Sequence, residues 1–304
     1  MTLMDDKVVV VTGAGRGVGR AIAIEMARQG AAVVINDLGA SLSGTDGGDM
    51  SPAADTAAEI AGFGGRAVTD GHSVASWDGA HAMVQTALDS FGRIDAVVNN
   101  AGILRDVLFH KMTEDDFDAV IDVHLKGSFN VARAAAPHFR AQGSGAYVHM
   151  TSTSGLIGNL GQANYSAAKL GIAGLSKSIA LDMARFGVRS NCIAPFAGTR
   201  MIDSIPVNSP EQEERVNRLR ALGPEKIAPL CAALCSDKAT KVTGQIFGAR
   251  ADELYLFSQH RPLRMSHTAD GWSADAICAR VFPQFETAFT PLDTSSDVFS
   301  WAPA

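Results

Sequence analysis

Short runs of β-branched and other apolar residues alternate with longer segments of helical periodicity along most of the chain. The runs predict strands at residues 7–12, 32–36, 66–69, 94–98, 146–150, 188–193 and 244–247, with the sixth strand stopped by Pro195. The segments between them predict helices at residues 20–28, 53–63, 77–91, 114–140 and 164–186. Strands that are apolar throughout are typical of a parallel sheet buried on both faces. This order of elements predicts an α/β fold, one doubly wound parallel sheet with helices on both faces.

A glycine-rich turn joins the first predicted strand to the first predicted helix. It reads Gly13-Ala14-Gly15-Arg16-Gly17-Val18-Gly19. Glycines allow the backbone to approach a pyrophosphate, and the N-terminus of the following helix presents N–H groups and a positive dipole end. A glycine cluster alone is weak support, but between a strand and a helix it predicts a dinucleotide-binding site.

Asp37 directly follows the second predicted strand. A carboxylate at this place accepts hydrogen bonds from both hydroxyls of an adenosine ribose and repels a 2′-phosphate, so it favours NAD over NADP. The alternative is that Asp37 only caps a loop. No Arg or Lys occurs in residues 38–48, and Arg16 is the residue whose charge opposes the preference for NAD.

Tyr165 and Lys169 are four residues apart in a segment of helical periodicity, so their side chains share one face of the helix. A free phenol has a pKa of about 10, and a nearby cation lowers the pKa of a phenol. The pair is therefore a candidate general acid and base, and the Ser152 hydroxyl is a candidate for holding a substrate oxygen. Taken alone, such a short pattern is more typical of an ordinary amphipathic helix.

The composition limits the classes of partner and compartment. Hydrophobic residues make up 46% of the 304 residues and charged residues 19%, which is enough for a substantial core. The net charge of −6 disfavours nucleic acid or an anionic membrane as the main partner. The four cysteines form no CxxC pair, so we expect buried free thiols and no metal site. No signal peptide and no long apolar run are visible, which predicts a cytoplasmic protein without a membrane span.

Four motifs together resemble the short-chain dehydrogenase/reductase family over about residues 5–248. They are Thr12-Gly13-x-x-x-Gly17-x-Gly19, Asn99-Asn100-Ala101-Gly102, Ser152 thirteen residues before Tyr165, and Lys169 four residues after it. The resemblance implies a Rossmann-like fold and an oxidoreductase that acts on CH–OH groups. It also implies a homodimer or homotetramer with helices 114–140 and 164–186 at the interface.

Further segments are similar to one branch of this family, the (3R)-hydroxyacyl-CoA dehydrogenase unit of peroxisomal multifunctional enzyme type 2 and its bacterial stand-alone relatives. These segments are residues 36–39, 102–106, 123–129, 158–165 and 194–201. The similarity implies NAD-dependent oxidation of a (3R)-3-hydroxyacyl-CoA in fatty-acid or steroid side-chain β-oxidation.

Three alternatives stay open at this point. The first is a dehydrogenase for a 17β-hydroxysteroid or another bulky ring alcohol. The second is a biosynthetic reductase that uses NADPH, which Asp37 opposes. The third is a non-catalytic NAD-binding regulator, since a fold does not dictate a function; the intact set of Ser152, Tyr165 and Lys169 opposes it.

The resemblance also implies roles for the residues that match the family's motifs. Tyr165 is implied to be the acid/base, Lys169 to assist it and to bond the nicotinamide ribose, and Ser152 to orient the substrate hydroxyl. The implied cofactor contacts are Thr12, Gly13, Gly15, Arg16, Gly17, Val18, Gly19, Asp37, Ser73, Val74, Asn100, Ala101, Gly102, Tyr165, Lys169, Pro195, Ala197, Gly198, Thr199 and Arg200.

Two positions depart from the family pattern. His124 stands in the long predicted helix where many members have Asn, whose main-chain carbonyl anchors a relay water. It is a candidate catalytic residue through proton relay, and the alternative is a histidine packed in the helix. His72, with Asp70 two residues earlier, stands where the family usually has an Asp that meets the adenine amino group. The adenine contacts at this place are therefore open.

Residues 1–249 are expected to form the NAD-binding catalytic domain and residues 250–304 a C-terminal extension. The extension carries an aromatic and basic patch of Tyr255, Phe257, His260, Arg261, Arg264, His267 and Trp272, followed by a helical segment from 273 to about 285. The patch predicts a cover over a groove or a subunit interface. The alternative is a lid in which Arg261 and Arg264 meet phosphates of the substrate.

Overall fold

A computed structural model describes residues 2–41, 43–44, 49–197, 209, 213 and 222–303 of the protein. Within these ranges the strands β1 to β8 are Val8–Thr12, Ala32–Asn36, Arg66–Asp70, Ala96–Asn99, Gly145–Met150, Val188–Phe196, Ile246–Arg250 and Glu253–Leu256. The helices α1 to α11 are Gly17–Arg28, Ser51–Gly62, Trp77–Phe91, Glu114–Ile121, Gly127–Gln142, Thr153–Leu156, Ala163–Asp182, Ala228–Cys235, Ala274–Ala276, Phe282–Phe285 and Ser295–Val298.

The strands form one sheet in the order β3-β2-β1-β4-β5-β6-β7-β8. Strands β1 to β7 pair in parallel, which confirms the predicted doubly wound α/β fold. Strand order reverses between β1 and β4, and ligands bind at such switch points, beyond the carboxyl ends of the strands. The glycine turn after β1 and the turn after β4 both lie at this point.

Hydrophobic side chains pack on both faces of the sheet because successive residues of a strand point to opposite sides. In β1, Val9 and Val11 join one buried cluster while Val8 and Val10 join the other. In β5, Val148 and Tyr147 divide in the same way. This double burial explains why the strands read as unbroken apolar runs.

The prediction that Pro195 stops the sixth strand is wrong, because β6 runs through it to Phe196. Strand β5 pairs with β6 only as far as Ile193, whereas β7 pairs with Pro195 and Phe196. The end of β6 therefore has one neighbour within the sheet, and proline is tolerated where a strand has a free side.

The predicted helix at 114–140 consists of three pieces. Helix α4 ends at Ile121, a π-helical turn covers Asp122–Lys126, and α5 continues from Gly127. Such π-helical turns are frequent at functional sites. This turn carries His124, which is buried.

The extension adds an antiparallel edge strand, β8, which pairs with β7 and was not predicted. Its residues alternate between half-buried and exposed, unlike the buried strands that the apolar runs revealed. Phe299 packs edge-on against Phe196 and Tyr255, with ring centres 4.8 and 5.3 Å apart. The extension thus packs on the sheet, and its boundary at residue 249 stays a prediction.

Three of the cysteines are buried free thiols, as expected, whereas Cys278 is exposed because it lies in the extension and outside the core. In the described part of the chain, no helix combines the length and the apolar character that crossing a membrane requires.

Candidate active site

A cavity of about 460 Å³ opens at the switch point of the sheet. Many of the predicted site residues line it: Gly13, Arg16, Gly17, Val18, Asp37, Ser73, Val74, Asn100, Ala101, Gly102, His124, Tyr165, Lys169 and Pro195. The fold therefore brings the glycine turn, the acidic end of β2 and the Tyr–Lys pair to one space, of the size expected of a cofactor or ligand pocket.

The turns after β1 and β4 are tied together by side chains. Thr12 Oγ1 accepts hydrogen bonds from the backbone N–H groups of Asn100 at 2.9 Å and Ala101 at 3.0 Å. Asn100 Nδ2 donates to the carbonyl oxygens of Thr12 and Gly13 at 3.0 and 3.1 Å. Thr12 therefore holds together the two turns that form the cavity.

Two positions of the first turn require glycine, one because of its backbone conformation and the other because no space is left for a Cβ. Gly13 has φ of +63°, the left-handed region that favours glycine. A Cβ on Gly19 would lie 2.1 Å from the Gly13 carbonyl oxygen. The backbone is thus closely packed where a pyrophosphate is expected to approach.

Asp37 lies in the cavity and also braces it. Its Oδ2 accepts from Gly15 N at 2.8 Å and its Oδ1 from Gly39 N at 2.6 Å. Each carboxylate oxygen can accept a second hydrogen bond. The carboxylate can therefore still accept hydrogen bonds from a vicinal diol such as a ribose. It can do so while it also stabilises the loop through Gly15 N and Gly39 N.

The part of the cavity where the family resemblance places an adenine is lined by His72, Ser73 and Val74. Asp70 is not free to meet an adenine amino group. Its buried carboxylate accepts from Asn36 Nδ2 at 2.8 Å and from Thr86 Oγ1 at 3.0 Å, and it pairs with His72 Nδ1 at 2.9 Å. Asp70 is therefore a structural group, and His72 and Ser73 are the polar residues that line this part of the cavity.

Tyr165 and Lys169 project from α7 into the cavity, as their spacing predicts. Lys169 Nζ lies 5.4 Å from the centre of the Tyr165 ring. Its ammonium donates to the Met150 carbonyl oxygen at 2.7 Å, at the end of β5. The backbone of the sheet thus holds the cation beside the phenol.

The prediction that the nearby cation lowers the pKa of Tyr165 is wrong for the protein without ligands. Burial raises the pKa of Tyr165 to about 12, while the Ser152 side chain acts in the opposite direction. Burial also lowers the pKa of Lys169 to about 7. Removal from water outweighs the attraction between the two groups here, because it disfavours both charged forms.

Ser152 is the N-cap residue of the short helix α6. Its Oγ accepts from Ser154 N at 3.1 Å and lies 3.2 Å from Ser154 Oγ. Asn159 Nδ2 in turn donates to Ser154 Oγ at 2.9 Å. This row of polar groups fixes the Ser152 hydroxyl near Tyr165.

His124 packs against the site from the π-helical turn. Its ring meets the Tyr165 ring edge-on, with centres 5.2 Å apart. Nε2 lies 3.0 Å from Ile103 N and 2.8 Å from Ile103 O, so it fixes the turn after β4. The His124 carbonyl oxygen accepts from Ser128 Oγ at 2.6 Å. Burial lowers the pKa of His124 to about 3, which keeps the ring neutral.

The cavity also contains residues for which the sequence predicted no contact. They include Leu38, Ile103, Arg105, Val123 and Thr151. Most are apolar or occupied by structural bonds, and the branch similarity of the segments that contain the first four assigned them no role in the site. Of the predicted cofactor contacts beyond β6, Ala197 packs against the core, and Gly198, Thr199 and Arg200 lie outside the described residues.

The C-terminal extension reaches the loop between Ser152 and Tyr165. Ser295 N donates to the Gly158 carbonyl oxygen at 2.9 Å, and Ser295 Oγ donates to the same oxygen at 3.2 Å. Arg261 and Arg264 lie on the exposed stretch before this contact. The segment around Ser295 therefore contacts the loop that joins the Ser152 and Tyr165 elements of the site.

Comparison with known proteins agrees with this site. Residues 7–206 match the family described as short chain dehydrogenase. The chain is 50% identical over 236 residues to a short-chain type dehydrogenase/reductase of Mycobacterium tuberculosis, covering 77% of this chain and 79% of that protein. A hydroxyacyl-CoA dehydrogenase of the same organism is 36% identical over 293 residues, 93% of this chain and 90% of the relative.

Two further similarities extend the comparison. The peroxisomal multifunctional enzyme type 2 of Mus musculus is 46% identical over 241 residues, which are 79% of this chain but only 31% of that enzyme. The crystal structure of a short chain dehydrogenase from Mycobacterium avium superposes with a TM-score of 0.83 at 37% identity, covering 96% of this chain and 99% of that one. The chain belongs to the short-chain dehydrogenase/reductase family and is an oxidoreductase that acts on CH–OH groups.

Proposed function

We propose that the protein oxidises the hydroxyl group of a (3R)-3-hydroxyacyl-CoA to a ketone with NAD. The observation that carries the proposal is the convergence of Tyr165, Lys169 and Asp37 on one cavity. The similarity to a protein named hydroxyacyl-CoA dehydrogenase, which extends over 93% of the chain, supports the substrate class.

The preference for NAD rests on Asp37. Its two oxygens each keep one lone pair for a ribose hydroxyl after binding Gly15 N and Gly39 N. A 2′-phosphate beside this carboxylate would meet a like charge. Arg16 lines the same cavity, and its attraction for a phosphate is the opposing contribution.

In the proposed reaction, Tyr165 as the phenolate takes the proton of the substrate hydroxyl. Lys169 stabilises that phenolate through its positive charge, and Ser152 Oγ holds the substrate oxygen. The nicotinamide cofactor, when bound, supplies a hydride acceptor and a positive charge. Because Lys169 is buried and Tyr165 is half-buried, electrostatic interactions between these groups and the substrate oxygen are stronger than they would be in water.

The basic stretch of the extension is proposed to meet the nucleotide end of the CoA. Arg261 and Arg264 donate to the carbonyl oxygens of His260 and Leu263, which leaves most of their donors for a phosphate. Replacing both by Ser is expected to raise KM for a CoA ester while leaving KM for the matching pantetheine ester, which has no nucleotide phosphates, unchanged. Equal effects on both esters would contradict this role.

An assembly of two or four copies is also proposed. Apolar side chains remain exposed on the helices that the family resemblance places at interfaces: Phe117, Phe129, Leu170 and Leu181. Light scattering at micromolar concentration is expected to give the mass of a dimer or tetramer. A monomer mass under these conditions would contradict the proposal.

The function is tested by following the formation of reduced nicotinamide with two substrates side by side. One is a (3R)-3-hydroxyacyl-CoA and the other a free 17β-hydroxysteroid, each with NAD and with NADP. We expect turnover of the CoA ester with NAD. Turnover of the sterol alone would contradict the hydroxyacyl-CoA proposal and favour a hydroxysteroid substrate. A preference for NADP would contradict the proposed role of Asp37.

A further inference from the structure

A buried polar pair lies beneath the Tyr–Lys site and takes no part in the proposed chemistry. Asn99 ends β4, and His149 lies beside it in β5 as its register partner. Their exposed fractions are 5% and 0%. Polar side-chain atoms buried this deeply normally have at least one hydrogen-bond partner each.

The hydrogen bonds of Asn99 define the tautomer of His149. Asn99 Nδ2 lies 3.3 Å from the Ser128 carbonyl oxygen, which can only accept, so the amide nitrogen belongs on that side. The same nitrogen lies 3.1 Å from His149 Nδ1, which must therefore accept as well. Burial lowers the pKa of His149 to about 4, so the ring is neutral and its one proton is on Nε2.

Two buried atoms of this pair have no hydrogen-bond partner among the described residues. They are Asn99 Oδ1, an acceptor, and His149 Nε2, a donor by the reasoning above. Leaving both unsatisfied would be costly in the interior. One water molecule satisfies an acceptor and a donor at once, and buried waters typically make about three hydrogen bonds.

Lys169 is the charged group next to this pair. Its ammonium donates to the carbonyl oxygen of Met150, the residue after His149 in β5. The charge of Lys169 also acts on His149, whose pKa it helps to lower. An ammonium has three donors, and Met150 O is its one acceptor among the described residues.

We propose that Asn99 and His149 hold one internal water that accepts a hydrogen bond from Lys169, which makes both side chains positioning residues for that cation. The water accepts from His149 Nε2–H and donates to Asn99 Oδ1. Its second lone pair then receives an N–H of Lys169. The functional part of this inference rests on the role of Lys169 in the proposed reaction.

The consequence is a pH dependence that can be measured. A hydrogen bond to the ammonium favours its charged form, so the water keeps Lys169 protonated to higher pH. The other titratable groups around Lys169 are Tyr165 on the same helix, Cys192 from β6 and His124 from the π-helical turn, while Asp106 acts on Tyr165. Asn99 and His149 variants leave all of these in place.

The variants His149→Phe and Asn99→Leu remove one partner of the water each. Without it, Lys169 loses its proton at lower pH, so the falling alkaline limb of kcat is expected to move down by about one pH unit. Binding of NAD, followed by fluorescence, is expected to change less than about twofold, since neither side chain lines the cavity. Tyr147→Phe is the control, because Tyr147 lies on the same strand, is buried and donates to Ala132 O.

A simple packing role would lower stability in all three variants without moving the pH limb, and that result would overturn the proposal. A high-resolution crystal structure of the wild-type protein provides a test that needs no variant to fold. It is expected to show a water within hydrogen-bond distance of Asn99 Oδ1, His149 Nε2 and Lys169 Nζ. No ordered water at this place would overturn the inference whether or not the enzyme oxidises a hydroxyacyl-CoA, and a water there without turnover would contradict only the proposed function.

Discussion

Lys169 Nζ lies 5.4 Å from the centre of the Tyr165 ring, and its hydrogen bond goes to the Met150 carbonyl oxygen at 2.7 Å. The ammonium therefore acts on the phenol through its charge, from a position that the end of β5 determines. Burial keeps the phenol neutral and makes the ammonium easy to deprotonate.

Tyr165→Phe is expected to lower kcat by a factor of about 10² to 10⁴, the usual contribution of a general acid or base. NAD affinity should stay close to that of the wild-type protein. Wild-type turnover should also rise with pH up to the alkaline limb at which Lys169 loses its proton, since the phenolate is the base. The pH profile of kcat and NAD titrations of both proteins measure these effects.

Tyr147→Phe is the matched control for that variant, because Tyr147 is a buried tyrosine outside the cavity whose hydroxyl makes one hydrogen bond, to Ala132 O at 2.8 Å. It should lose some stability and keep its turnover. If Tyr165→Phe kept wild-type turnover, the assignment of the base would be wrong.

Lys169→Met is expected to abolish activity and to stabilise the fold. The pKa of Lys169 falls from 10.5 to about 7 on burial, so the folded state disfavours the charged form. This penalty is fully present below pH 7 and is lost as the pH rises from about 7 to about 10.5. We expect the variant to raise the free energy of unfolding by up to about 4 kcal/mol at pH 6.5.

Urea unfolding of both proteins at pH 6.5 and at pH 10 measures the difference. The gain should shrink at the higher pH, because most of the penalty is lost between pH 7 and pH 10.5; at pH 10 the wild-type lysine is neutral in the folded state and still partly charged in the unfolded state. A variant that is less stable than the wild type at both pH values would show that the Lys169–Met150 hydrogen bond outweighs the burial of charge.

Asp37→Asn is expected to weaken the preference for NAD. The amide keeps an acceptor for the ribose and removes the charge that repels a 2′-phosphate. At an effective dielectric constant near 20 that repulsion is of the order of 2 kcal/mol, so kcat/KM with NADP should rise by roughly thirtyfold. Unchanged kcat/KM values for both cofactors would place Asp37 in the loop structure alone.

Gly19→Ala is expected to disrupt the glycine turn between β1 and α1. The added Cβ would lie 2.1 Å from Gly13 O and 2.4 Å from Asn100 Nδ2, which hold the two turns together. We expect a loss of about 2 kcal/mol in stability and a loss of NAD binding. Gly174→Ala is the control, because nothing lies within 4 Å of its Cβ and it sits inside α7. Thermal unfolding should show it neutral or slightly stabilised.

The sequence predicts the catalytic core of this fold well because local pattern and tertiary burial agree there. Strand β2 and helix α3 have the bounds that their apolar runs and periodicity indicate. Helix α3 begins at the N-cap residue Ser76 and ends at the C-cap residue Gly92, which is in the left-handed conformation. Both residues are local signals of helix boundaries. Strand β8 was missed because its half-exposed residues carry no apolar run, and its place is set by pairing with β7.

The candidate site also combines features that the local sequence predicts with features that depend on the tertiary structure. Spacing alone places Tyr165 and Lys169 on one face, and the family motifs identify the two turns. The pKa of Tyr165 was predicted in the wrong direction because burial depends on residues distant in sequence, which no local pattern reports. The Asn99–His149 pair was not singled out for the same reason, since it arises from the register of β4 and β5.

The stereochemistry of a single turnover is the sharpest test of the proposed substrate. Purified wild-type protein is mixed with NAD and either the (3R) or the (3S) form of one 3-hydroxyacyl-CoA, and reduced nicotinamide is measured by its absorbance. We expect rapid formation with the (3R) ester and at least a hundredfold slower formation with the (3S) ester, about 2.7 kcal/mol of discrimination. Equal rates with both forms, or no reaction with either, would contradict the proposed substrate.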